Sequence, residues 1–233
     1  SKTFACTKAA LQTCKKCQTK EVLCTAWMDN GAETPVDAVW PGVALFAHLG
    51  FHLGYNEKVL EEEFKECVGG NLKDFMALDA FDSLFLNGKA NQEAQNPSKY
   101  LLYQDPMAGT FDQDVVKSGV DTSAYYKKLK KMMEIRQENS PEYAALFAYY
   151  EKLAAVLADK ADLGVRIKTS YDKNQKLALK EICEKEIPET IQNLEKMKIL
   201  REDLWMSEAK SFGYELMDVK LGAVITRLNS TIR

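Results

Sequence analysis

Apolar residues recur at helical spacing along most of this chain. The clearest run opens at Ser140-Pro141-Glu142 and carries Tyr143, Leu146, Phe147, Tyr150, Leu153, Ala154 and Leu157, the stepping of an amphipathic helix. A second stripe, Ile191, Leu194, Met197, Leu200 and Leu204, follows Pro188, which is expected to bend or restart its helix. A third comprises Met217, Leu221, Val224, Ile225, Leu228 and Ile232. Upstream, residues 3–19 read as a helix with Phe4, Leu11 and Cys14 on one side and Lys8, Lys15 and Lys16 toward solvent. Thr34-Pro35 sets up another through Val36, Val39, Trp40, Val43, Leu45, Phe46 and Leu49, with Pro41 as a kink or restart point. Asn56 and Asn71 stand where caps belong, and Gly69-Gly70 ends the helix between them. From 87 to 119 the periodicity lapses into Gly, Asn, Gln, Pro and Asp, but the embedded Tyr100-Leu101-Leu102-Tyr103 predicts ordered excursions.

One short stretch breaks the helical rule. Val22-Leu23-Cys24-Thr25-Ala26 is an apolar run that reaches Trp27 and then breaks into Met28-Asp29-Asn30-Gly31. Such a run bounded by turn residues reads as a buried strand over 22–27, closed by an Asn-Gly turn. Helix, strand, loop, helix is α/β order. A strand buried on both faces belongs to a parallel sheet, yet the remaining sequence offers no second convincing strand. The chain therefore reads as a piece of a larger protein, with Trp27 and Asp29 at the carboxyl end of a strand, where α/β proteins keep their ligand sites. A domain boundary is expected between Gly50 and Tyr55.

Composition narrows the classes. In 233 residues, 46% apolar content supplies a packed core, and 28% charged residues with a net charge of −3 describe an ordinary solvated surface. Lysines alternate with glutamates and the pI is about 5.6, so no basic field for nucleic acid is expected. No apolar run approaches the ~18 residues that span a bilayer, and no signal peptide is recognisable, so a cytoplasmic location and no membrane partner are expected. Among the six cysteines, Cys14-Lys-Lys-Cys17 forms a CxxC, but it lies mid-helix and lacks the second ligand pair a zinc site needs. His48 and His52 are one helical turn apart with Leu49 between them, so the HExxH pattern fails at its glutamate. No metal or cofactor is expected.

Several blocks carry a resemblance. TAWMDNGAE at 25–33, followed by AVWPGVALFAHLGF at 38–51, resembles the end of the catalytic barrel in family 20 glycoside hydrolases, the β-N-acetylhexosaminidases. The likeness is to a bacterial branch in which a sizeable helical region follows the barrel. There the first block typically reads Thr-x-Trp-Gly-Asp-Asp-Gly-x-Glu, and this chain departs from it at Met28 and Asn30. FKECVGGNLKDFMALDAFD at 64–82 is similar to the first helices after the barrel, NPSKYLLYQDP at 96–106 to its long connector, and DLWMSEAKSFGYELMDVKLGAVITRL at 203–228 to its closing helices.

The resemblance implies a mainly α chain: the last β/α unit of a truncated (β/α)8 barrel over 1–55, with strand 22–27 as the eighth strand, then a helical C-terminal domain over 56–233. It implies that Trp27 forms a wall of the sugar pocket, an indole face being well matched to the CH face of a pyranose. Asp29 would accept hydrogen bonds from distal hydroxyls of a terminal N-acetylhexosamine, with Asn30 and Glu33 supporting from behind. Without the resemblance, Trp27 would be read as a core aromatic. The family's chemistry is substrate-assisted: the acetamido oxygen attacks the anomeric carbon, an Asp orients that group, and the adjacent Glu protonates the leaving oxygen. No Asp-Glu dipeptide occurs here; Glu202-Asp203 has the reverse order. The catalytic pair is thus expected upstream, the 233 residues alone are expected to be inactive, and an upstream barrel segment or self-association is expected to cover the apolar surface. The competing expectation is a non-catalytic, all-helical interaction module.

Overall fold

The computed structural model describes residues 2–26, 33–86 and 95–233. Every regular element among them is helical: α1 (Lys2–Lys16), α2 (Trp40–Phe51), α3 (Glu57–Val68), α4 (Leu72–Met76), α5 (Pro97–Tyr103), α6 (Asp112–Ser118), α7 (Thr122–Asn139), α8 (Ala144–Lys160), α9 (Leu163–Asp172), α10 (Lys176–Glu181), α11 (Ile187–Glu208) and α12 (Glu215–Ile232). Short 3-10 turns precede α2 and α8 and follow α4.

The helix starts fall where the local chemistry puts them. The Asn56 side chain accepts from the N–H groups of Lys58 and Val59, Asn71 from Lys73, and Asp121 from Ala124, satisfying amides the first helical turn leaves open. Gly69 ends α3 in the left-handed region at φ +83°. Pro41 and Pro141 each mark a restart rather than a kink, each in the first turn of a new helical segment. Near Pro188 the path is continuous, and a π-turn over Ile182–Glu186 joins α10 to α11. The widened turn absorbs the hydrogen bond that proline cannot donate.

Helix α8 is the centre of the fold. It buries residues on every side, among them Leu146, Phe147, Tyr149, Tyr150, Leu153, Val156 and Leu157, as expected of a helix walled in by neighbours. Its main partners are α7 and α11, with α5 beside it; α12 closes against α11 and α5. The lapse in periodicity over 87–119 contains two ordered helices, α5 and α6. The ammonium of Lys160, at the end of α8, donates to the carbonyls of Leu101 (3.1 Å) and Gln104 (2.6 Å), tying the end of α5 down.

At the N-terminal side, α1 packs on α2, and α2 reaches the rest of the molecule through α3 and α4. Helix α1 buries only Leu11. Lys8 does not run out to solvent: its ammonium sits 3.3 Å from the centre of the Tyr55 ring. The strand expected over 22–27 is not formed in its described part. Residues 21–26 are irregular and exposed, with Leu23 at 83%. A strand needs a neighbour to share its ladder hydrogen bonds, and none of the described residues provides one.

Candidate functional site

The stretch that follows the expected pocket loop is held by four helices at once. The Glu33 carboxylate meets Lys220 of α12 (Oε1 to Nζ, 2.9 Å) and Lys99 of α5 (Oε2 to Nζ, 3.5 Å). The Tyr149 hydroxyl of α8 donates to the Glu33 carbonyl at 3.1 Å. Three residues on, the Val36 N–H donates to Oε2 of Glu208, on the last turn of α11, at 3.1 Å.

The Glu33 side chain is largely buried, at 15% exposure. Burial alone would raise its pKa, but the Lys220 hydrogen bond and the charges of Lys99 and Lys220 outweigh it, and the net shift is downward. Tyr103 borders the same place, with the Lys220 ammonium 5.9 Å from its ring centre. Burial first and the Glu33 charge second push the Tyr103 hydroxyl far above its ordinary value, so it stays protonated. Two cations around one carboxylate make a fixed charge cluster suited to anchoring.

Apart from this anchor, an open cleft of about 340 Å³ lies between α1, residues 24–26 and the start of α2, with Thr3, Phe4, Cys24, Thr25, Ala26 and Pro41 among its walls. It gathers no pair of carboxylates fit for acid–base work among those walls. Trp27, Asp29 and Asn30 lie outside the described residues; Glu33 is the one expected site residue whose surroundings are described. Its partners could not be read from the chain. Lys220 and Tyr149 are 187 and 116 residues away from it, on helices whose lysines and tyrosines look like any others. The CxxC gains no further ligand: among the described residues, no His or carboxylate joins Cys14 and Cys17 in a cluster of metal-binding size.

The fold around the anchor is that of a helical domain packed on one central helix. Over residues 73–233 the sequence matches the family model described as the Glycoside Hydrolase 20C C-terminal domain. The chain belongs to that family, and so represents a C-terminal part of a family 20 glycoside hydrolase. No curated protein matches it. No helix among the described residues is long and apolar enough to cross a membrane.

Proposed function

We propose that this chain is the C-terminal portion of a β-N-acetylhexosaminidase, an enzyme that removes terminal N-acetylhexosamine by a substrate-assisted, retaining mechanism. The match of residues 73–233 to a 20C C-terminal domain carries this reading. In it, residues 1–55 complete a (β/α)8 barrel and 56–233 form the helical domain. The segment 22–27 becomes a strand when upstream strands stand beside it. Trp27 offers its face to the sugar and Asp29 accepts from the distal hydroxyls. Asn30 supports the loop, and Glu33 fastens its far end to the helical domain. The Asp-Glu pair comes from outside these 233 residues. The acetamido oxygen attacks the anomeric carbon as the Glu protonates the departing oxygen; water then opens the cyclic intermediate from the face the leaving group vacated, breaking the bond to the acetamido oxygen, so configuration is retained.

The described residues supply what such a division of labour needs: Lys99, Tyr149, Glu208 and Lys220 grip positions 33–36 from four separate helices. The test is an assay with a chromogenic β-N-acetylglucosaminide. The 233-residue chain alone is expected to give no turnover, and the full-length enzyme to release a product of retained β configuration. Turnover by the 233 residues alone would contradict the reading.

A further inference from the structure

Where α2 turns into α3, three side chains with metal-ligating atoms converge. His48 and His52 stand one turn apart and face Glu63 of α3. His48 Nδ1 lies 2.7 Å from Glu63 Oε2 and His52 Nε2 lies 2.6 Å from Glu63 Oε1. One atom from each residue falls within 4.8 Å of the others. The His48 side chain is wholly buried, whereas His52 and Glu63 are 42% and 38% exposed, which leaves a way in from solvent. The neighbouring polar groups are few. The Asn56 N–H donates to His48 Nε2 at 3.1 Å, and the Lys15 ammonium donates to the His52 carbonyl. The Tyr55 ring stands edge-on to His48, and Lys8 lies over that ring.

A buried histidine satisfied by one carboxylate would account for His48 alone. It does not account for His52, which is exposed enough to be hydrated yet turns its Nε2 to the same carboxylate. Glu63 turns one carboxylate oxygen to each histidine, so both oxygens face the middle of the trio.

We propose that His48 Nδ1, His52 Nε2 and the Glu63 carboxylate form a binding site for a divalent cation of the zinc type, stapling α2 to α3. Two imidazoles and one carboxylate suit zinc, cobalt or nickel; magnesium and calcium favour sets made of oxygen. Three protein ligands leave a position for water. Zinc ligands lie at about 2.0–2.2 Å from the ion and so about 3.3 Å from one another; the 2.6 and 2.7 Å hydrogen bonds must therefore open to admit the ion, which the exposed His52 ring can allow by rotation. Protons balance without net release from the neutral rings. In the metal-free state the Asn56 bond holds the His48 proton on Nδ1; binding moves it to Nε2. The His52 proton moves likewise from Nε2 to Nδ1. The Asn56 N–H then gives up its acceptor and stands opposite the new His48 Nε2–H, so the exposed turn over 53–56 must shift to let water take both donors. That loss weakens binding on the order of tenfold, so a micromolar site is expected.

The inference is independent of the sugar-pocket reading. Its test is a calorimetric titration of the chelator-treated chain with zinc chloride, with Co(II) as a spectroscopic probe and thermal melts alongside. One equivalent should bind with micromolar affinity and raise Tm, while magnesium does neither. His52→Ala and Glu63→Gln, both at part-exposed positions and checked for folding by circular dichroism, should each weaken binding by about 30-fold or more. Cys14→Ser and Cys17→Ser should leave it unchanged, and bound Co(II) should show no thiolate charge-transfer band. Absence of binding at about 100 µM zinc, or binding that survives His52→Ala, would overturn the proposal. So would binding that disappears with Cys17→Ser and carries a thiolate band.

Discussion

Lys160 shows how a charge can be tolerated inside this fold. It is 1% exposed, and burial pushes its pKa down to about 8 despite the nearby charges of Asp105 and Asp112. Between that value and the ordinary 10.5 the unfolded chain binds the extra proton, so this group's contribution to stability rises as pH climbs through that window. Lys160→Met keeps the volume but leaves the Leu101 and Gln104 carbonyls without their donor. It should destabilise the protein by about 2 kcal/mol in urea unfolding. Glu33 works in the opposite sense. Its folded pKa lies below the ordinary 4.5, so the stability it adds is present above that value and is lost as pH falls through its lowered one. Comparing unfolding free energies at pH 7 and pH 3, wild type should lose more than Glu33→Gln; equal losses would mean that the Lys220 bond contributes nothing.

At the scale of elements, packing rests on a few close approaches. Gly164 opens α9 against the α5–α6 connection. A Cβ there would come within 2.9 Å of the Pro106 carbonyl oxygen and 2.6 Å of the Asp112 carboxylate. The carbonyl is backbone and cannot step aside, so Gly164→Ala should cost about 2 kcal/mol by thermal or urea unfolding despite alanine's better helix propensity. Much of this level was legible in the sequence. The caps Asn56 and Asn71, the αL stop at Gly69 and the stripe of α8 follow local rules that act over three or four residues. Two features were not legible. The stripe of α8 predicted one buried face, but burial on all sides depends on α7, α11 and α5 arriving together. The strand over 22–27 has the right composition, but strand formation belongs to a pair of segments, and the described residues offer only one.

At the scale of the whole molecule, the site is a property of parts far apart in sequence. The resemblance of 25–33 to the end of a barrel pointed to Glu33, but the grip of Lys99, Tyr149, Glu208 and Lys220 emerges only when four helices fold onto one stretch. In the full-length enzyme, Lys220→Ala should therefore lower kcat/KM for an N-acetylglucosaminide by about fivefold, mainly through KM, although Lys220 touches no sugar in this account. The same view bears on the isolated chain. Leu23, Phe51 and Leu53 are 83%, 90% and 103% exposed, apolar side chains that association would cover. Light scattering should find the isolated chain self-associated at micromolar concentration, and a monodisperse monomer would count against the barrel assignment of residues 1–55.

The central claim is that this chain provides one wall of a sugar pocket and holds it in place. Steady-state kinetics of Trp27→Ala in the full-length enzyme tests it most directly, with Asp29→Ala measured on gluco- and galacto-configured substrates alongside. Loss of the indole face should lower kcat/KM on the order of 100-fold, while Asp29→Ala changes the ratio between the two sugars. Unchanged kinetics in both variants would contradict the account.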